Sequence, residues 1–96
     1  MVIVEVHYYT KDGMREAFLQ RIVEEGIDVA SRQDEGNIQY DYYFSPDNNN
    51  ELLLFEKWES PESLEKHSQA EHLKKMGAFR NDYLEDVTIQ RYFCEE

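Results

Sequence analysis

The chain has 96 residues, 41% of them hydrophobic and 14% aromatic, with 10 Lys+Arg against 21 Asp+Glu for a formal net charge of −11. That length fits a single domain over residues 1–96, and the apolar content is too high for an acidic disordered tail. The charge repels phosphate backbones and anionic lipid, which argues against nucleic acid and membrane surfaces as partners.

The lone cysteine, Cys94, leaves no internal disulfide and no multi-cysteine zinc site. The start, Met1-Val2-Ile3-Val4-Glu5, does not resemble a signal peptide, and no apolar run approaches the roughly 18 residues of a bilayer span. A cytoplasmic location is therefore expected.

Val2 to Thr10 reads as a strand, with Val2, Val4, Val6 and Tyr8 on one face and Ile3, Glu5, His7 and Tyr9 on the other. The mixed second face suits solvent or a polar-lined cavity, and His7 is a candidate substrate contact on that account. Lys11-Asp12-Gly13 is a turn, with Asp12 as a helix N-cap. One long helix from Met14 to Arg32 follows from the helical spacing of Phe18, Ile22, Leu19, Val23, Ile27 and Ala30. Gly26 interrupts it, at a cost of about 1 kcal/mol relative to Ala.

After a polar break at Gln33–Asn37, strands over Ile38–Phe44 and Glu51–Glu59 flank the turn Ser45-Pro46-Asp47-Asn48-Asn49-Asn50 and form an antiparallel hairpin. Ile38, Tyr40 and Tyr42 share one face of the first of these strands. Ser60-Pro61-Glu62 starts a helix, and Ser68 to Glu71 has capping-box spacing. The spacing predicts a short helix over Pro61–His67, a break, and a helix to Tyr83 with the stripe His72, Met76, Phe79 and Tyr83. Asp86 to Phe93 alternates as a last strand.

The order β-α-β-β-α-β is that of an α+β, ferredoxin-like arrangement, with both helices on one face of an antiparallel sheet. Leu53 and Phe55 make the other face apolar too, which calls for a second copy packed sheet to sheet as a homodimer.

His67 lies three positions after Leu64 and should point with it toward the sheet, either as a satisfied core histidine or as a general base over a cavity. His67 and His72 are five apart, the wrong spacing for two ligands on one helical face, so no metal site is expected. Trp58 is a core anchor or a flat wall for an aromatic ligand. Glu56, between Leu54 and Trp58 on an apolar face, must be paired, with Arg91 the candidate, or act as an acid with a raised pKa; the ion pair is the more common outcome. The hydroxyls of Tyr40 and Tyr42 need partners if buried, which suits a polar-lined cavity or an interface.

Glu56-Lys57-Trp58, the helix start at Ser60-Pro61, His67 nine residues after the Trp and His72 five later resemble the antibiotic biosynthesis monooxygenase family. Asp34-Glu35-Gly36-Asn37-Ile38-Gln39-Tyr40 is similar to its E-P-G-x-x-x-Y segment, with Glu35 where the family has Pro. The resemblance implies a ferredoxin-like fold dimerised into an α+β barrel, with a cavity between sheet and helices. It implies a monooxygenase without a cofactor, acting on a quinol or polyphenol-like substrate that itself supplies the electrons. His67, Trp58, Glu56 and Tyr40 match the family's shared positions, and His72 matches as well. His67 and Glu56 are the expected catalytic residues, and Trp58, Tyr40 and His72, joined by Tyr42 and His7 from the strand reading, the expected substrate-binding ones.

Heme-degrading relatives have a Trp at the position of His67 and a ligating His at that of Gly77, so heme chemistry does not fit. The alternatives are an isomerase of a phosphorylated, autoinducer-2-like quorum signal, with Arg32 and Arg91 as its basic residues, and a non-catalytic dimeric ligand-binding domain.

Overall fold

Strict alternation sorts the side chains of β1 (Val2–Thr10), where Val2, Val4, Val6, Tyr8 and Thr10 are buried and the residues between them half-buried. The same alternation runs through β3 (Glu51–Trp58), burying Leu52, Leu54, Glu56 and Trp58. The computed structural model describes residues 1–95 and pairs these two strands antiparallel at the centre of a four-stranded sheet ordered β2-β3-β1-β4. β2 (Asn37–Phe44) and β4 (Leu84–Phe93) are its edges, also antiparallel to their neighbours. All helices cross one face, as the ferredoxin-like order requires. Between sheet and helices the core gathers around Trp58, Tyr40, Phe18, Ile22, Ile27, Leu52 and Leu54, each about fully buried. Burial of such side chains stabilises by roughly 1.5–3 kcal/mol apiece.

The first helical segment is two helices, α1 (Arg15–Glu24) and α2 (Ile27–Arg32), not one. Gly26 adopts φ +72 with open space where a Cβ would sit, so it serves as a left-handed break and not as a packing contact. That bend redirects α2 and delivers its C-terminus to β2. Asp12 is not the cap of α1. Met14 holds that position without a side-chain bond, and Asp12 Oδ1 instead accepts from Asn50 Nδ2 at 3.2 Å. Arg15 also ties α1 to the hairpin: its buried guanidinium donates to the carbonyls of Ser45, Asn48 and Glu51 and lies 4.0 Å over the Phe44 ring.

α3 (Pro61–Ser68) begins as its sequence dictates, with Pro at the first turn and the Ser60 hydroxyl accepting from the Ser63 amide at 3.1 Å. The expected second helix is instead α4 (Glu71–Lys74), a 3-10 turn over Lys75–Ala78, and α5 (Arg80–Tyr83). No capping box forms at Ser68, whose hydroxyl turns back to the Glu65 carbonyl at 2.7 Å, and Ala70 takes the N-cap of α4. Met76 and Phe79 still face the core. Among the described residues no helix is long and apolar enough to cross a membrane.

A register shift between Asn37 and Gln39 makes Ile38 a bulge, so it is half exposed and does not share the face of Tyr40 and Tyr42. Beyond the bulge, Tyr40 pairs with Glu56, Glu56 with Val4, and Val4 with Arg91. One row of residues thus crosses all four strands on the helix-covered face.

Candidate active site

The site grows from that row and from the turn after α2. The Asp34 amide donates to the Ser31 carbonyl and the Asn37 amide to the Asp34 carbonyl, closing a tight turn whose Gly36 has φ +85. A Cβ on Gly36 would stand 2.1 Å from Ser63 Oγ, so glycine lets the turn press against the first turn of α3. Asp34 is thereby carried beside the face of α3 that buries Leu64 and His67. The chain breaks after Ser68, which brings His72 round to the same carboxylate.

Asp34 Oδ2 lies 2.7 Å from Nδ1 of His67 and 2.8 Å from Nε2 of His72. On its other side His67 meets the sheet: its Nε2 is 3.7 Å from Glu56 Oε1, the oxygen that accepts the Trp58 indole N–H at 2.9 Å. The indole ring backs the imidazole at a centroid distance of 4.5 Å, and Tyr40 meets it edge-on at 5.5 Å. The resulting chain His72–Asp34–His67–Glu56–Trp58 runs from half-buried to fully buried groups.

Burial pushes the Glu56 carboxyl up to about 7, against the pull of the Trp58 N–H and the positive charge of Arg91. It also holds His67 below its ordinary value, although Asp34 favours the charged ring. A carboxyl that ionises near neutral pH thus lies beside an imidazole that burial keeps from charging. Burial raises the phenols of Tyr8 and Tyr40, which stay protonated and serve as hydrogen-bonding wall, not as bases.

Glu56 and His67 open onto a cavity of about 410 Å³ between sheet and helices. Val4, Val6, Leu64, Met76 and Ile89 supply apolar wall, and Tyr8 and Tyr40 contribute to it. This volume lies within the range of small-molecule sites.

Of the residues expected from sequence, Glu56, His67 and Tyr40 line this cavity. Trp58 does not: it is buried behind the pair and acts on the cavity only through Glu56 and His67. Tyr42 packs edge-on against Tyr40 at 5.9 Å, outside the lining, and His72 also lies outside it, bonded to Asp34 with its ring 6.0 Å from that of His67. His7 is misplaced by the sequence reading. It faces the opposite side of the sheet, with Nδ1 2.6 Å from Glu51. The expected Glu56–Arg91 ion pair does not form among the described residues. Arg32 is also outside the cavity, donating to the Tyr40 carbonyl at 2.9 Å and to Asp28 at 3.2 Å.

Asp34 is the residue that sequence reasoning missed. It sits in a polar break, and only its place in the E-P-G-like segment distinguished it. Together with His67 and His72 it offers three ligand atoms within 4.8 Å of one another. Both ring nitrogens lie at hydrogen-bond distance from a single oxygen, the geometry of one carboxylate accepting two imidazole N–H groups.

The sequence profile of the family described as antibiotic biosynthesis monooxygenase matches residues 1–78. YcnE of Bacillus subtilis (strain 168), provisionally named a monooxygenase, is 27% identical over 74 residues, covering 77% of this chain and 76% of its own. Among solved structures, PA3566 from Pseudomonas aeruginosa superposes with TM-score 0.85 at 22% identity, covering 99% of this chain and 94% of that one. Rv0793 from Mycobacterium tuberculosis superposes with TM-score 0.84 at 25% identity, covering 99% and 95%. The profile spans most of the sequence, and the chain belongs to the antibiotic biosynthesis monooxygenase family.

Proposed function

We propose that the protein is a monooxygenase that needs no cofactor and acts on a small aromatic substrate of the quinol or polyphenol type. The observation that carries this reading is the Glu56–His67 pair, 3.7 Å apart, at the wall of a cavity whose neighbouring surface is Val4, Val6, Leu64, Met76 and Ile89. His67 Nε2 takes the phenolic proton, and the Glu56 carboxylate beside it stabilises the imidazolium that results. The phenolate places electron density on a ring carbon, which reacts with O2. That carbon loses its hydrogen and gains one oxygen atom. The second oxygen atom leaves as water with two protons from the quinol, so a quinol and O2 give a hydroxyquinone and water. The substrate supplies all four electrons, and the protein's part is to bind, deprotonate and shield.

The open face of the sheet supports a homodimer. Tyr43 and Tyr92 are 47% and 45% exposed there, beside half-buried Ile3, Leu53 and Phe55. A second copy packed on this face buries them, and light scattering coupled to size-exclusion chromatography checks the mass.

Oxygen uptake over a panel of quinols and polyphenols tests the activity. The expected result is uptake with at least one substrate, reduced roughly 10²-fold or more in His67→Ala. Full turnover in His67→Ala overturns the base assignment. Clear binding with no uptake across the panel overturns the monooxygenase reading in favour of a ligand-binding domain.

A further inference from the structure

The charged side chains at the cavity reverse the balance of the molecule. The chain has 21 acids and 10 Lys+Arg, yet Lys74, Arg80 and Arg91 all line this cavity against a single acid, Glu56. Arg80 is half-buried, and among the described residues neither it nor Arg91 has a carboxylate within 4.0 Å or a side-chain hydrogen bond. Lys74 lies 3.7 Å from the exposed carboxylate of Glu71. A half-buried guanidinium without a partner is an unfavourable arrangement that an anion relieves.

Position sets the shape of the ligand. Arg91 stands in the same cross-strand row as Glu56, with Val4 between them. At about 4.8 Å per strand their backbones are roughly 10 Å apart, the length of a fused bicyclic ring system with one substituent. Apolar wall fills the gap, from Val4, Val6 and Ile89. A second, smaller groove shares Leu64, Ser68 and Arg91 with the cavity, which places Arg91 at the junction of the two.

Resting on the monooxygenase reading above, we infer that the substrate is an anionic aromatic: a phenol whose hydroxyl meets Glu56 and His67, with a carboxylate or phosphate group held by Arg80, Arg91 and Lys74. The excess negative charge elsewhere on the surface slows the encounter with such a ligand, while the local cations capture it at the mouth.

Isothermal titration calorimetry of the full chain tests this with 6-hydroxy-2-naphthoate, which carries its hydroxyl and carboxylate at opposite ends of the ring system, its neutral methyl ester, 6-hydroxy-2-naphthyl phosphate and inorganic phosphate. The acid is expected to bind at least tenfold more tightly than the ester. That gap should shrink in 0.5 M salt and close in the Arg80→Gln/Arg91→Gln variant, whose fold is checked by its melting temperature. A singly substituted Arg91→Gln chain serves if the double variant does not fold. Comparison of the naphthoate, the naphthyl phosphate and free phosphate tells a carboxylate site from a phosphate site. An ester that binds as well as the acid overturns the inference, as does a gap that persists in the variant, and so does binding of none of the four. Oxygen uptake with neutral quinols alongside such a failure leaves the monooxygenase reading standing. Tight binding of the acid with no uptake from any quinol removes that reading and keeps the anion site.

Discussion

The Asp34 carboxylate sets the tautomer of His67. Its Oδ2 is 2.7 Å from Nδ1, so Nδ1 carries the hydrogen and Nε2 keeps its lone pair toward Glu56 and the cavity. Asp34→Asn puts an amide N–H where the acceptor was, which drives the ring hydrogen to Nε2 and removes the base. The expected result is a fall in kcat of roughly 10²-fold or more with little change in KM. Nitrogen chemical shifts of the His67 ring report the tautomer directly. Unchanged shifts with unchanged kcat would refute the assignment.

The Glu56–His67 pair makes activity depend on pH in a definite direction. Its carboxyl, pushed up to about 7 by burial, must ionise before Nε2 can gain a stabilised proton. The kcat/KM profile should therefore rise through about pH 7. In Glu56→Gln that rise should vanish, leaving an acid limb below pH 6.5 from His67, whose value burial lowers. A wild-type profile flat between pH 6 and 8 contradicts this.

The same carboxyl governs stability. Its folded-state pKa lies above the unfolded value of 4.5, so its favourable contribution is complete below that pH and is lost as pH rises through about 7. The loss amounts to about 3 kcal/mol at most. Gln keeps the shape and the acceptor for Trp58 without ionising. The melting temperature of Glu56→Gln relative to wild type should climb between pH 4.5 and 7 and then level off. His67 acts with the opposite sign, favouring the fold above pH 6.5, and is present in both proteins.

Trp58→Phe tests the indole N–H. Without that donor at 2.9 Å, burial acts on Glu56 with less opposition, and the rise in kcat/KM should move to higher pH. A stability cost of about 1–3 kcal/mol should accompany it, from lost volume and the unpaired acceptor. An unmoved profile would assign the indole to packing alone.

Gly36→Ala should be among the most damaging small substitutions. The added carbon meets Ser63 Oγ at 2.1 Å and Ser63 Cβ at 2.5 Å, at a φ of +85. A drop of several degrees in melting temperature is expected, and kcat should fall with it as the turn moves Asp34 off His67. Ser63→Gly in the same chain relieves the clash but not the strain, so it should restore only part of both.

Much of the fold was legible because the strands repeat every second residue and one buried face leaves no freedom of register. The Pro61 start of α3 was equally plain. Elements failed where a local rule had a competitor. Helical spacing continued across Gly26, but the left-handed φ there ended the helix. Ile38 fitted the alternation until a bulge displaced it. In the site, the E-x-W and His spacing located Glu56, Trp58 and His67. His7 was lost because a mixed strand face does not say which side carries the helices. Asp34 was hidden because a turn residue 33 positions from His67 becomes its neighbour only through tertiary packing.

The two halves of the pair belong to parts of the molecule that hold together differently. Glu56 sits on β3, laced to strands on both sides, whereas His67 sits on an eight-residue helix pinned through the Gly36 turn and Asp34. Short helices open more readily than central strands. Fraying of α3 withdraws the base while the acid stays in register, so amide exchange in α3 should quicken on warming before β3 loses protection. Ligand held between Glu56 and His67 should slow it.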